Sequence, residues 1–444
     1  MNRVFSLLRG SGLRAELLKG AGGSASLKAI NIVLTLGSGV LLARALGPEN
    51  YGVYAFVLSL ITLLGLPAKA GLPTLLVRET AKNQLNKNWG LIRGLLRFGN
   101  TFVFGYSVAI AMVVGLVVWL KWGGVENTQV HTFLWALLLL PLFSFEGLRA
   151  GALRGLRWVI SAQLPEQIVR PLVMIAFLGV ALLLGKEVTS ITAIQLNALA
   201  TLLTFAVGAY LLLKALPDNV KQAKPEYMVR SWVTSLLPLS LFSGLSVLDS
   251  QISIVILGFW GSTEEAGLFR VAATGATFVS FGLTAVNMAL APQIARLYNA
   301  GEAEKLQRMI TLSTWAVTAV SVPVVFVYFF WGKELVSFVF GEAYASASAA
   351  LIILSIGQFV NSSSGSVALI LNMTGNDRKT LPAVCIALII NIAISLALVP
   401  AYGFIGVAIG YSVSLVVWNL MMVWMVRRHT GINAWIGGGY AAKR

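Results

Sequence analysis

The sequence predicts an all-α protein that crosses a membrane about twelve times, built as two six-helix lobes related by a parallel internal repeat. Three observations predict it. The chain of 444 residues is 57% hydrophobic and only 11% charged, with a mean hydropathy of +0.81, whereas a soluble domain carries about a quarter charged residues. Its apolar runs are about 20 residues long, enough for a helix to cross the hydrocarbon core, and no ten-residue alternation suggests a barrel. The third is a pair of polar stripes. Lys28, Asn31, Thr35 and Ser38 share the spacing of Ser243, Ser246, Ser250 and Ser253, and adding 215 to each position of the first gives the second. That spacing marks one helix face. The same offset carries Ser59, Thr62 and Lys69 onto Thr274, Thr277 and Thr284. The chain thus divides into a tail (1–24), a first lobe (25–213), a linker (214–231), a second lobe (232–426) and a C-terminal tail (427–444).

In chain order, the first span begins near Ala25 and carries Lys28, Asn31 and Thr35 on its polar face. A second begins near Tyr51 and carries Lys69 on the face equivalent to that of Arg270 in the eighth. A third begins near Phe98, after a basic loop from Arg78 to Arg97. The fourth, from near Thr132, closes on Glu146 and Arg149 and on Gly147, Gly151 and Gly155, whose spacing lets helices approach closely. In the fifth, from near Ile160, Glu166 and Arg170 stand one turn apart between Pro165 and Pro171, in the order that favours an ion pair. A movable helix whose charges exchange partners is the alternative. The sixth, from near Ile191, runs to the linker, which holds Pro217 and Pro225.

The second lobe repeats the plan. Its first span, from near Thr234, carries Ser246, Ser250 and Asp249, and the next, from near Ala266, carries Arg270 and Thr274. Spans from near Thr311, Ser348, Pro382 and Ile405 follow. The run Asn361 to Ser366 is polar for a span, and lining a cavity or bonding between helices are both open to it. Gly406 and Gly410 repeat the close-packing spacing.

Ionisable groups at membrane depth are costly and usually functional. Lys28, Lys69 and Arg270 suggest a cationic cavity suited to phosphate or other anionic groups, with Asn31, Thr35, Ser246, Ser250 and Thr274 as polar lining. Asp249 suits uptake of a proton or cation. Glu146, Arg149, Glu166 and Arg170 read as gating or structural ion pairs.

The net charge of +16 does not point to nucleic acid. Basic residues gather in the tails (Arg3, Arg9, Arg427, Lys443, Arg444) and in alternate loops, whereas the opposite loops hold mainly Lys121, Lys186 and Lys333 beside Glu126, Glu187, Glu264, Glu265, Glu334 and Glu342. This is the positive-inside pattern, and it predicts both termini in the cytoplasm. The N-terminus lacks a short apolar core with a cleavage site, so the first span reads as retained. Cys385 is the single cysteine, and His131 and His429 have no partners at metal-ligand spacing, so no disulfide, protein metal site or cofactor is expected. There is no phosphate-binding Gly-rich loop, and neither a large extramembrane loop nor paired carboxylates for an embedded enzyme. No catalytic residues are expected.

The segment LLARALGPENYGVYAF (41–56) resembles the hinge between the first two helices of bacterial polysaccharide flippases. LRGLRWVISAQLPEQIVRP (153–171) resembles their fourth-to-fifth connection, and GEAYASASAALIILSIGQF (341–359) the start of their tenth helix. The likeness runs from about Ala25 to Arg428. It implies the O-antigen and lipid-linked oligosaccharide flippase family, within the multidrug, oligosaccharidyl-lipid and polysaccharide exporter superfamily. It also implies a V-shaped pair of bundles with helices one, two, seven and eight lining the cavity. The implied substrate is undecaprenyl-pyrophosphate-linked glycan, flipped across the bacterial inner membrane by ion-coupled alternating access, with a glycan polymerase as a partner. A multidrug antiporter of the same superfamily is the alternative.

Overall fold

The computed structural model describes residues 13–69, 71–122 and 128–436. Arg3, Arg9, Glu126, Lys443 and Arg444 lie outside them, as does the side chain of Ser243. Among the described residues the chain is helical almost throughout and forms no strand. The helices are α1 (Leu13–Leu64), α2 (Leu66–Lys69), α3 (Leu72–Leu85), α4 (Trp89–Trp122), α5 (Thr128–Ala136), α6 (Leu139–Gly155) and α7 (Val159–Leu164). A π-helical stretch, Pro165–Val169, joins α7 to α8 (Arg170–Leu183), followed by α9 (Ser190–Ala215) and α10 (Asp218–Gln222). Then come α11 (Val229–Trp260), α12 (Thr263–Ala276), α13 (Phe281–Asn299), α14 (Ala303–Phe340), α15 (Ala347–Ser363), α16 (Val367–Met373) and α17 (Leu381–Thr430).

Eight of the described helical stretches are long and apolar enough to cross a membrane, and the bent pair α15–α16 makes a ninth. The two longest each contain a break. α1 breaks at Gly47 (φ 70°, ψ 170°), just before Pro48, and α17 at Gly403 (φ 53°, ψ −134°), after Pro400. A helix needs only about 20 residues to cross, so these 52- and 50-residue elements each supply two legs. The leg after Gly47 continues through α2 and α3. With the 32 residues of α11, the predicted set of twelve spans is complete.

Contacts divide the chain into two compact units. One holds the chain up to Leu46 and Val57–Val247; the other holds Gly47–Phe56 and everything from Leu248 on. The division falls inside α11, past the 214–231 linker. The reason is packing: Trp232 and Leu236 of α11 are buried with Leu72, Leu75 and Leu76 of α3, Leu95 and Val103 of α4, and Leu148 of α6. In the same unit α6 lies tight on α3, where a Cβ on Gly151 would strike the Pro73 backbone and one on Gly155 would meet Thr80. The linker is strapped to α4. Arg93 Nη1 donates to the Ala223 carbonyl at 2.6 Å, and the Glu226 amide donates to that of Gly90 at 3.0 Å.

In the second unit the segment Gly47–Phe56 packs on α12. A Cβ on Gly52 would run into the carbonyl of Thr263, and a Cβ on Gly267 into that of Pro48. Positions 48 and 263, and 52 and 267, each differ by the repeat offset of 215, so this contact is its own image under the internal repeat. Phe56 stands edge-on to Phe259 at 5.2 Å, and Tyr51 to Tyr344 at 6.3 Å. The core of this unit holds Ile294, Ile310, Ile370, Leu371 and Val426. The segment after α17 folds into it: Ile432 and Ala434 are buried, and Gln307 donates to the Asn433 carbonyl at 2.7 Å while accepting its amide at 2.8 Å. The polar run 361–366 supplies the break between α15 and α16 at Gly365, and Ser362 reaches the Val279 carbonyl at 3.3 Å.

The repeat is also written in the turns. Five helix ends close in the left-handed conformation, at Lys87 (φ 56°), Arg157 (φ 69°), Gly185 (φ 65°), Gly301 (φ 71°) and Gly375 (φ 73°). All make the same pair of bonds, as in Arg157 N–H to Arg154 C=O and Trp158 N–H to Leu153 C=O, the motif that usually selects glycine. The second half uses glycine at both ends. In the first half Gly185 closes one end, and at the other two the long cations Lys87 and Arg157 stand beside the negative ends of their helix dipoles.

The Gly52–Gly267 contact has no room for a methyl group. Gly52→Ala and Gly267→Ala are each expected to destabilise the protein by about 1–3 kcal/mol through overpacking. Gly39→Ala, with nothing within 4 Å, should be neutral or stabilising by up to about 1 kcal/mol. Thermal unfolding in detergent, followed by tryptophan fluorescence, checks the order; equal midpoints for all three would contradict it.

Candidate functional site

The charged residues of the first unit converge on one place. α6 carries Glu146 and Arg149, the π stretch carries Glu166, α8 opens with Arg170, and α2 ends on Lys69. Their partners are not the ones that sequence spacing suggests. Arg170 Nη1 bonds Glu146 Oε2 at 3.0 Å, across helices, rather than Glu166 one turn before it. The cause is the π stretch. Pro165 opens it, and the Arg170 amide donates back five residues, to the Pro165 carbonyl. The extra residue rotates Arg170 away from Glu166 and toward α6. Pro171 then has no N–H to give the carbonyl four residues back, that of Gln167. The Asn31 side chain donates to that carbonyl at 2.8 Å, so Asn31 fastens α1 to the irregular turn.

Arg149 is likewise turned away from Glu146 by the helix phase. Its Nη1 donates to the Phe205 carbonyl on α9, and its guanidinium lies 4.7 Å from the Phe205 ring centroid. Gly208 makes the space, because a Cβ there would occupy the guanidinium position. A second ring, Phe143, carries two cations: Lys69 Nζ at 5.4 Å and the Arg170 guanidinium at 4.9 Å from its centroid. Cations over an aromatic face gain about 0.5–2 kcal/mol without surrendering their charge. Three cations thus face two carboxylates, and the cluster is net positive. Between α6, the π stretch and α9 lies a cleft lined by Glu146, Arg149, Ala162, Glu166, Thr204 and Gly208. Glu146 Oε1 is buried and has no hydrogen-bond partner. Lys28 and Thr35 are exposed on α1, and Ser38 donates to the Thr35 carbonyl at 2.9 Å.

The second unit holds a different constellation. Asp249 on α11 is hydrogen-bonded by Asn391 of α17, and its Oδ1 is buried without a hydrogen-bond partner. Asn391 also reaches Ser253 Oγ at 3.5 Å and accepts from Ser395 Oγ at 3.1 Å. One carboxylate among neutral oxygens is chemistry that accepts a proton or a small hard cation. Among the described residues no three His, Cys, Asp or Glu side chains gather as a metal centre. Arg270 on α12 is exposed and bonds the buried Tyr51 hydroxyl. The Thr274 hydroxyl donates to the Arg270 carbonyl at 2.8 Å, so its proton is engaged by the helix itself. Ser246 and Ser250 are exposed on α11, and Gln251 donates to Ser250 at 3.0 Å. Asn391, Ser395, Phe143 and Phe205 were not singled out from sequence. Asn391 and Ser395, one turn apart in an otherwise apolar span, are the pair that periodicity could have found.

The family model described as "Polysaccharide biosynthesis protein" matches residues 17–298, and the MatE model matches residues 238–397. A Shigella flexneri protein provisionally named an O-antigen transporter is 24% identical over 413 residues, covering 90% of this chain and 95% of that protein. Among solved structures, an inward-facing multidrug resistance MATE family transporter of the MOP superfamily matches with a TM-score of 0.75 at 16% identity, over 90% of this chain and 94% of that one. The lipid II flippase MurJ in its inward closed conformation matches with a TM-score of 0.71 at 12% identity, over 90% and 86%. At these identities the two structures speak for the fold.

The pairing on α6 and α8 makes a stability prediction. Arg170→Ala or Glu146→Ala alone should cost about 3–5 kcal/mol, because each leaves a charge unanswered. The double variant Glu146→Ala, Arg170→Ala should lose less than the sum of the two. A double-mutant cycle of unfolding midpoints reads the coupling, and strict additivity would mean that the pair is not formed.

Proposed function

Because the chain belongs to the polysaccharide biosynthesis protein family of membrane transporters, which are not enzymes, we propose that it flips an undecaprenyl-pyrophosphate-linked oligosaccharide across the bacterial inner membrane. The observation that carries this reading is the net-positive cluster in which Lys69 and Arg170 each lie over the Phe143 ring. Two cations on one ring suit a pyrophosphate, whose two phosphoryl groups each accept charge-assisted hydrogen bonds. Lys28, Thr35 and Ser246 in the first unit, and Ser250, Arg270 and Thr274 in the second, are the further polar groups we assign to substrate binding. Asn31 acts through the helix that it fastens. The lipid tail stays in the bilayer while the headgroup crosses.

Asp249 is the residue we assign to ion coupling. Its unpartnered oxygen among Ser253, Asn391 and Ser395 supports binding of a proton or sodium ion that changes occupancy as the transporter alternates its access. Both termini lie in the cytoplasm on this reading, since the basic loops and tails share one side. A glycan polymerase is the partner that would consume the flipped unit. Export of cationic drugs is the second reading, favoured by the MatE match over 238–397. The excess of cations over carboxylates in the first unit weighs against it.

Two experiments test the proposal. Cells without the gene should accumulate lipid-linked oligosaccharide on the cytoplasmic leaflet, relieved by the intact gene but not by a Lys69→Ala, Arg270→Ala double variant. Normal sidedness in a strain with no second flippase would move drug export to first place. For coupling, Asp249→Asn should abolish the dependence of flipping on an imposed pH or sodium gradient. A variant whose gradient dependence matches wild type would remove Asp249 from that role.

A further inference from the structure

The proposed function leaves Glu146 without a task, yet its surroundings are unusual. It is the most deeply buried charge of the first unit's cluster: its side chain is 5% exposed, against 30% for its partner Arg170. One carboxylate oxygen holds Arg170, and the other is buried without a hydrogen-bond partner in a cleft whose outer wall carries the exposed Glu166. The charged groups that act on it are Arg170, Glu166, Arg149 and Lys69, while α9 contributes Thr204 and Gly208 to the same cleft. None of the other cations is placed to replace Arg170. Arg149 is held by the Phe205 carbonyl and ring, and Lys69 sits over Phe143.

We propose that Glu146 is a proton carrier that the substrate itself switches. An anionic headgroup that engages Lys69 and Arg170 beside the Phe143 ring draws the guanidinium off Glu146, and Glu146 Oε1 takes a proton from water through the Glu166 cleft. Release of the headgroup returns Arg170 and expels the proton. A buried carboxylate that loses its cation neutralises itself by protonation. The more exposed member of the pair is the one a ligand can reach, so the order of events follows from the geometry. The proposal rests on the headgroup reading of Lys69 and Arg170. It adds that one proton moves in step with the anion, in the first unit, independently of Asp249.

The test uses inorganic pyrophosphate and the full chain in detergent. Calorimetric titrations in two buffers of different ionisation heat give both affinity and protons exchanged. Wild type should take up about one proton more per bound pyrophosphate than Glu146→Gln, a difference that cancels protons carried by the ligand. Glu146→Gln should also bind more tightly, because Arg170 is already free. In Arg170→Gln the extra uptake should vanish. On wild type alone, the infrared carbonyl band of a protonated buried carboxyl should appear on adding pyrophosphate, a readout that needs no variant to fold. Binding with equal proton uptake in wild type and Glu146→Gln, or without the infrared band, overturns the proposal and leaves the headgroup reading standing. No binding by wild type overturns both.

Discussion

A charge inside a hydrocarbon slab has no water to answer it, so the chain must supply the answer. In this protein that constraint is met by the bond between Arg170 and Glu146, and much of the first unit is arranged to make it possible. Pro165 and Pro171 disturb α8 at its start, the π stretch turns Arg170 toward α6, and Asn31 of α1 caps the carbonyl that Pro171 leaves open. Gly208 on α9 clears the space in which Arg149 finds its own acceptor. The carbonyl that Pro171 leaves open is matched by a side chain from another helix. The irregular turn is therefore a tie between α1, α6 and α8 rather than a weak point.

The second unit depends on close approach instead. Gly52 and Gly267 let two helix starts meet backbone to backbone, and the contact repeats itself under the same offset that aligns the polar stripes. A contact on the axis of an internal repeat constrains both partners alike. Bulk added at one position strikes the carbonyl whose counterpart guards the other. The turns show how far the halves have diverged around that shared plan. Gly301 and Gly375 adopt the left-handed conformation without cost, while Lys87 and Arg157 adopt it against steric preference and gain from the helix ends they face.

Much of the fold was legible in the sequence because apolar length and the positive-inside pattern are properties of segments, insensitive to small shifts of register. The helical spans and the repeat offset could be read that way, whereas the Asn391 that meets Asp249 could not. Pairings were less legible, because one extra residue in a helix rotates everything after it. Spacing alone joined Glu166 to Arg170 and Glu146 to Arg149; the π stretch and the Phe205 carbonyl gave both cations other partners. Asn31 sat on the predicted stripe, but which group it would meet depended on a proline in a helix far along the chain. The capture of Gly47–Phe56 by the second unit was hidden for a different reason. It is a tertiary contact between small residues, and their absence of side chain is a signal only when both faces are known.

The two units also differ in what their charges can do. The cluster in the first holds three cations and two carboxylates, Lys69, Arg149 and Arg170 against Glu146 and Glu166, so its charge attracts an anion. The second holds one carboxylate among neutral oxygens, with Arg270 engaged by Tyr51. A cation or proton is the species that such a carboxylate rewards. Had the same helices faced a cationic drug, the first unit's excess positive charge would oppose its entry, and only a reversal of sign at Lys69 or Arg170 would relieve it. The polarity of the first unit's cluster therefore bears on the proposed readings more directly than the shared fold does, because the fold serves transporters of both kinds.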